Sequence, residues 1–225
     1  RRVVDVGCGP GELTAALSTR WPGAIVQGID SSPEMIERAV RHTTERLSFR
    51  VADAASWSIP ADTDVVVSNA TLQWVPDHRA VLDGWAQSLP SGGWIAVQVP
   101  GNFQSPSHAL MRELTMSPRW SHQLDGVLRH HDSVAEPERY ADLLLQRGLE
   151  VDVWETTYVH VLHGVDPVLE WVRGTGLRPV LAALGAADAA EFEREYASSL
   201  RRAYPATARG TLFPFRRIFA VGHRA

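Results

Sequence analysis

Val4-Asp5-Val6-Gly7-Cys8-Gly9-Pro10-Gly11 is the stretch on which the fold is read. An apolar run that ends in alternate glycines, followed by Leu13, Ala16 and Leu17 at helical spacing, predicts a strand, a tight turn and a helix. Glycines in such a turn let the backbone approach a ligand closely. The helix start beyond offers unpaired N–H groups and the positive end of its dipole. A glycine loop alone is a weak signal, and spacing sharpens it. The dinucleotide fingerprint wants glycines at offsets 0, 2 and 5; from Gly7 these fall on Gly7, Gly9 and position 12, which is Glu12, and the third glycine is Gly11 instead. A carboxylate there repels a pyrophosphate but tolerates a ligand with an ammonium group and one carboxylate.

Working outward, Arg2 to Val6 is the first strand and Trp21-Pro22-Gly23 stops the helix. Ala24 to Asp30 reads as the second strand. Ser32 and Pro33 then supply an N-cap and a first-turn proline for a helix with Met35, Ile36, Ala39 and Val40 inward. Leu47 to Ala52, Asp64 to Ser68 and Trp94 to Val99 are the third to fifth strands, and Asp77 is expected to cap a helix carrying Val81, Leu82, Trp85 and Leu89. This alternation predicts an α/β fold, a doubly wound, mostly parallel sheet. Strands so apolar on both faces call for helices on two sides. After Pro100 the rhythm changes. Helices start at Ser105-Pro106 and Asp166-Pro167, Pro137 to Arg147 is helical up to Gly148, and Phe192, Tyr196, Leu200 and Ala203 mark a helix that Pro205 ends. Leu149 to Leu162 and Thr211 to Val221 read as strands, with Pro214 at an edge or bulge. A single domain over 1–225 is expected: a cofactor-binding half at 1–104, helical cap segments at 105–148 and 164–209, and terminal strands within 149–163 and 210–225.

The chain has 225 residues, is 44% hydrophobic and 21% charged, and carries a formal net charge of −4. That is the composition of an ordinary globular protein. Cys8 is the single cysteine, which excludes an internal disulfide and a thiolate zinc cluster and suits a reducing cytoplasm. All 22 basic residues are arginine. No stretch is long and apolar enough for a membrane helix, no apolar run at the start forms a signal peptide, and the last twenty residues, with four arginines and no acid, carry too small an excess for a nucleic-acid groove.

Asp30 ends the second strand, where a carboxylate can accept from two ribose hydroxyls, and Asp53 follows the third, placed to accept from an exocyclic adenine amine. Either aspartate alone reads as a cap or turn residue. Beside glycines at consecutive strand ends they point to an adenosine without a phosphate bridge, because ligands of open α/β sheets bind at the strands' carboxyl ends.

These residues resemble the class I methyltransferases, which use S-adenosylmethionine. The resemblance implies a Rossmann-like sheet with an antiparallel last strand and a helical cap. It implies that Asp5, Gly7, Gly9 and Gly11 surround the methionine moiety, that Asp30 holds the ribose with Ser31 and Met35 nearby, that Asp53 and Ala54 flank the adenine, and that Asn69 and Ala70 complete the site. A closer likeness runs through 68–78, 98–103, 154–160 and 166–172, which are similar to the trans-aconitate 2-methyltransferases. By that likeness the product is a monomethyl ester, the cofactor leaves as S-adenosylhomocysteine, no metal takes part, and the chain is a cytoplasmic monomer with a polycarboxylate substrate. The sequence opens on its first strand, whereas the likeness implies a preceding helical segment that helps cover the cofactor.

A substrate carboxylate with a pKa of about 4 is ionised at neutral pH, so no catalytic general base is required. His108, His160 and His163 read as capping, strand-face or loop residues. The substrate's three charges need fixed donors. Candidates are Arg119, Arg173, Arg178, Arg216 and Arg217; strand alternation sends the last two to opposite faces. Tyr158 offers a hydroxyl, Trp74 a wall, and Gln73 lies just past the fourth strand. Rival readings are a carboxyl methyltransferase acting on a malonyl acyl carrier or fatty acid, a quinol methyltransferase, and a non-catalytic cofactor sensor.

Overall fold

A computed structural model describes residues 1–128 and 134–225, so residues 129–133 of the expected cap segment lie outside the described residues. The anticipated strands form as β1 (Arg2–Val6), β2 (Ile25–Asp30), β3 (Leu47–Val51), β4 (Val65–Asn69) and β5 (Trp94–Pro100). Among them run α1 (Glu12–Arg20), α2 (Pro33–Ala39) and α3 (His78–Ser88). The remainder comprises α4 (Pro106–Thr115), α5 (Ser121–Leu124), α6 (Pro137–Gln146), β6 (Glu150–Leu162), α7 (Pro167–Arg173), α8 (Arg178–Ala183), α9 (Ala186–Ala203), β7 (Ala206–Thr207) and β8 (Gly210–His223).

The strand order is β3-β2-β1-β4-β5-β8-β6, with the short β7 paired to β8. β1 pairs in parallel with both β2 and β4, and β2 with β3 and β4 with β5 are parallel as well. The last long strand is antiparallel. Arg224 N donates to Gly93 O at one end of β5 (3.0 Å) and Gly101 N to Arg216 O at the other (2.9 Å). Order reverses at β1, whose neighbours come from crossovers in opposite directions, and such a switch point opens a crevice at the strands' carboxyl ends.

The chain divides into two compact units, one of residues 1–100, 135–155 and 218–225, the other of residues 101–134 and 156–217. In the first, Val4, Val6, Val66, Ile95 and Val97 are buried on one face of the sheet. On the other face, Val3, Val26 and Leu47 bury against Ala15 and Leu17 of α1. Toward β4 and β5, however, Val65, Val67 and Ala96 are only half-buried and Trp94 is 45% exposed. Val65, Trp94 and Ala96 border a hollow of about 630 Å³ that Arg20, Trp21 and Val221 also line. Cover on both sheet faces, expected from the valine-rich strands, is thus closed over β1, β4 and β5 on one face and partial on the other.

Local signals explain most helix starts. Ser32 Oγ accepts from Met35 N (3.3 Å) with Pro33 opening α2. Asp77 differs from expectation: it precedes α3 with φ 48° and no side-chain capping bond, and its carbonyl, not its carboxylate, accepts from Ala80 N (2.9 Å). Val40, expected inward, is 48% exposed where α2 passes into a 3-10 turn.

The second unit has its own core, with Met111, Trp120, Val172, Phe192, Tyr196, Leu200 and Phe213 among its buried side chains. Ser107, at the start of α4, is held from two sides. Its N–H donates to Tyr204 Oη (3.0 Å) and its carbonyl accepts from Tyr196 Oη (2.7 Å). Asn102 clamps β8 in the same unit, accepting from Arg216 N (2.8 Å) and donating to Arg216 O (3.0 Å). β8 buries Thr211 and Phe213 within this unit but Ile218, Ala220 and Gly222 within the other. Its inward parity therefore reverses around Arg216 and Arg217.

Burial pushes the His108 imidazole down to about 4, with Arg112 adding to the effect, and its Nδ1 lies 3.2 Å from Ser107 Oγ. The unfolded chain protonates this histidine near pH 6.5, whereas the native ring resists until about pH 4. In that window the unfolded state binds the extra proton, so stability falls as pH drops. Urea unfolding from pH 7 to 4 should show a steeper loss for the wild type than for His108→Gln; parallel curves refute the burial argument.

Candidate functional site

The glycine loop leaves β1 at the switch point. Gly7, Gly9 and Gly11 all have positive φ, at 79°, 54° and 88°, a region that side chains enter at a cost. Their roles divide. A methyl on Gly7 would overlap the Thr71 side chain, whose hydroxyl donates to Gly7 O (3.2 Å). A methyl on Gly11 would press on Ala39 and Phe49 at about 3 Å. Around Gly9 a methyl meets nothing within 4 Å. Gly7 and Gly11 are therefore packing glycines, and Gly9 presents bare backbone to open space.

The loop is tied to β2 by its own N–H groups. Gly7 N and Cys8 N both donate to Ile29 O (2.8 and 2.9 Å). Gly9 N donates to Asp30 Oδ2 and Ser32 N to Asp30 Oδ1, each at 2.9 Å. The Asp30 carboxylate is thus oriented by two backbone donors, and each oxygen retains a lone pair for a further donor. Asp5 is buried on β1 and accepts from Thr14 Oγ1 (2.6 Å), which fastens α1 to the strand. Burial raises the Asp5 pKa, the Thr14 bond opposes that shift, and the charge of Asp30 adds to it. Burial, then Asp5 and Asp30, push the Cys8 thiol up to about 12, so it stays protonated. Glu12 pairs with Arg41. Its charge is thereby offset, and the case against a pyrophosphate rests on glycine spacing alone.

Asp5, Gly7, Cys8, Val67 and Asn69 line a hollow of about 450 Å³ together with Leu13, Ala16, Leu17 and Arg20 of α1. Leu13, expected on the packed face of α1, is 62% exposed at its rim. Asn69 ends β4, and Ala70 follows with φ 53°, its N–H on Gln98 O (2.9 Å). Gln73 is buried in the 3-10 turn Leu72–Trp74 and donates to Ala70 O (2.6 Å); Trp74 beside it is 49% exposed. Asp53 lies beyond β3 on the surface, its carboxylate oriented by Ala55 N (2.9 Å), with Ala54 buried next to it. Ser31 is exposed and Met35 half-buried at the start of α2.

The other candidates belong to the second unit. Arg119 pairs with Glu191 (3.3 Å) and Glu195 (2.6 Å) of α9, and Arg173 with Glu170 and Glu193. Both guanidiniums are therefore committed to carboxylates of their own unit. Arg178 is exposed, and its side chain makes no hydrogen bond among the described residues. Arg216 is anchored by its backbone to Asn102, while the Arg217 guanidinium lies over the rings of Tyr158 (5.8 Å) and Phe215 (5.3 Å). The structure thus brings Tyr158 and Arg217 together. Thr71 and Thr14, which shape the loop, carried no sequence signal: a lone threonine matches many surface positions.

The family described as a methyltransferase domain matches residues 3–93. A trans-aconitate 2-methyltransferase of Streptomyces avermitilis is 54% identical over 99% of this chain and 85% of its own length. The chain belongs to the trans-aconitate 2-methyltransferase family. A relative of that name from Rhodococcus jostii is also 54% identical, over 98% of this chain and 87% of its own. Among solved structures, the YcgJ protein of Bacillus subtilis matches with a TM-score of 0.62 at 17% identity, covering all of this chain and 92% of that one. At that identity the likeness concerns the fold, which is thus shared between the trans-aconitate 2-methyltransferase family and more distant proteins. No group of His, Cys, Asp and Glu among the described residues is placed to hold a metal, and no described helix is long and apolar enough to cross a membrane.

The division of labour in the loop has a measurable consequence. Gly7→Ala should destabilise the fold by about 2 kcal/mol or more, through overlap with Thr71 added to backbone strain. Gly9→Ala should cost about 1 kcal/mol of strain alone. Equal losses in chemical unfolding of the two variants would contradict it.

Proposed function

We propose that this chain is an S-adenosylmethionine-dependent O-methyltransferase that forms the monomethyl ester of trans-aconitate by direct attack of a substrate carboxylate. One observation carries the cofactor half: bare backbone at Gly9 beside the Asp30 carboxylate, oriented by Gly9 N and Ser32 N with a lone pair left on each oxygen. That chemistry suits the paired hydroxyls of a ribose. Relatives named trans-aconitate 2-methyltransferase at 54% identity support the acceptor half. When bound, the cofactor supplies a methyl group activated by a sulfonium.

The remaining work falls to the chain. Asp30 holds the ribose, with Ser31 and Met35 at its flank. Asp53, set by the Ala55 N–H, accepts from the adenine amine beside buried Ala54. Asp5, Gly7, Gly9, Gly11, Asn69 and Ala70 surround the methionine portion. The nucleophile is already ionised, so no side chain need remove a proton; the protein supplies alignment, worth an effective concentration of roughly 10⁵ M or more, and exclusion of water. Gln73 and Trp74 border the acceptor. Its carboxylates are held by Arg178, Arg216 and Arg217 with Tyr158, whereas Arg119 and Arg173 act by keeping their segments in place on α9. A small-molecule acceptor and a buried, protonated Cys8 suit a monomer in the cytoplasm.

Transfer of a radiolabelled methyl group to a panel of polycarboxylates should favour trans-aconitate, and equal turnover of uncharged acceptors would refute the assignment. Asp30→Asn should raise the KM for the cofactor about tenfold or more, since a charged acceptor is replaced by a neutral one. Between pH 6 and 8 the rate should show no rising limb from a histidine; a tenfold climb per unit would require a general base and exclude the mechanism.

A further inference from the structure

The second unit contains a polar atom that its fold does not use. His160 lies on the stretch of β6 within this unit, among Trp171 (ring centroids 4.7 Å apart), Phe215 (6.2 Å, edge-on) and Tyr158 (6.4 Å, stacked). Its Nε2 is buried and makes no hydrogen bond among the described residues. Desolvating a ring nitrogen without giving it a partner is unfavourable, and phenylalanine would fill the same aromatic surroundings without that penalty. Tyr158 and His160 are two apart on β6, Phe215 and Arg217 two apart on β8, so each pair shares a face of its strand. The Arg217 guanidinium lies over Tyr158 (5.8 Å) and Phe215 (5.3 Å), beside the same ring group. A delocalised cation and an unspent ring N–H, walled by apolar rings, form a binding set for a carboxylate.

We propose that His160 contacts the acceptor, its Nε2–H donating to a substrate carboxylate that Arg217 also holds. Tyr158, 44% exposed, is the ring that the incoming carboxylate displaces to reach the nitrogen. The assignment rests on the acceptor being a polycarboxylate. It differs from the sequence expectation of a strand-face histidine, and it predicts opposite effects on stability and binding. His160→Phe removes an unsatisfied polar atom, so the ligand-free variant should melt at or above the wild-type Tm. Its affinity for trans-aconitate, measured by calorimetry in the presence of S-adenosylhomocysteine, should fall about tenfold to a hundredfold, the range for a hydrogen bond to a charged group. His160→Gln, whose amide reaches close to the Nε2 position, should restore most of that affinity, and binding of S-adenosylhomocysteine should not change in either variant.

A lowered Tm with unchanged trans-aconitate affinity in His160→Phe overturns the proposal and makes the histidine structural. Should that variant not fold, ring-nitrogen NMR on isotope-labelled wild-type protein decides: a shift of the His160 Nε2 signal on adding trans-aconitate supports the contact, and an unmoved signal overturns it. If the wild type itself does not bind trans-aconitate, the acceptor assignment falls, an outcome separate from wild-type binding that His160→Phe leaves intact.

Discussion

One carboxylate holds the carboxyl end of the sheet in order. Asp30 takes the N–H of Gly9 from the loop after β1 and the N–H of Ser32 from the turn before α2. Both are backbone donors that no strand or helix bond would otherwise satisfy. The glycine loop is therefore folded by the strand next to it as well as by its own sequence. Ser32 in turn caps α2 through its hydroxyl, so the same short segment orients the carboxylate and starts the helix. Asp5, one strand over and buried, is spent on Thr14. Two aspartates on neighbouring strands thus serve different ends: one fastens a helix, the other stands partly in solvent with capacity to spare.

The sheet around this centre is asymmetric. Along β1, β4 and β5 one face is closed by buried valines and an isoleucine, whereas the other is covered beneath α1 and only half-covered along β4 and β5. Apolar area left at half exposure contributes only part of its burial free energy, about 25 cal/mol per Å² where water is fully removed. The hollow near Gly7 and Asn69 shares Arg20 with the hollow along β4 and β5. Cofactor-side chemistry and incomplete cover thus meet on the same side of the first unit.

In the second unit, charge is sorted by pairing. Glu191, Glu193 and Glu195 of α9 take Arg119 and Arg173, and Asp166 takes Arg201 at 2.6 Å. Exposed pairs of this kind contribute little individually, but they remove guanidiniums from the set available to an anion. Arg217 lies over the rings of Tyr158 and Phe215, a contact that restrains its guanidinium.

Local sequence determined a good deal here: five strands and their helices, the glycine loop and the Ser32 cap. Spacing and turn chemistry act over a few residues, and those are the distances a linear pattern records. The family was equally legible, since its motifs are runs of adjacent residues. Tertiary structure alone decided which glycine faces open space, because that depends on Thr71, Ala39 and Phe49 arriving from elsewhere. It alone tied Arg119 and Arg173 to carboxylates of α9. It also reversed the buried parity of β8 near Arg216, where one strand serves two cores. The physical reason is common to all three. A side chain's role is set by what desolvates or pairs with it, and those neighbours come from segments remote in sequence.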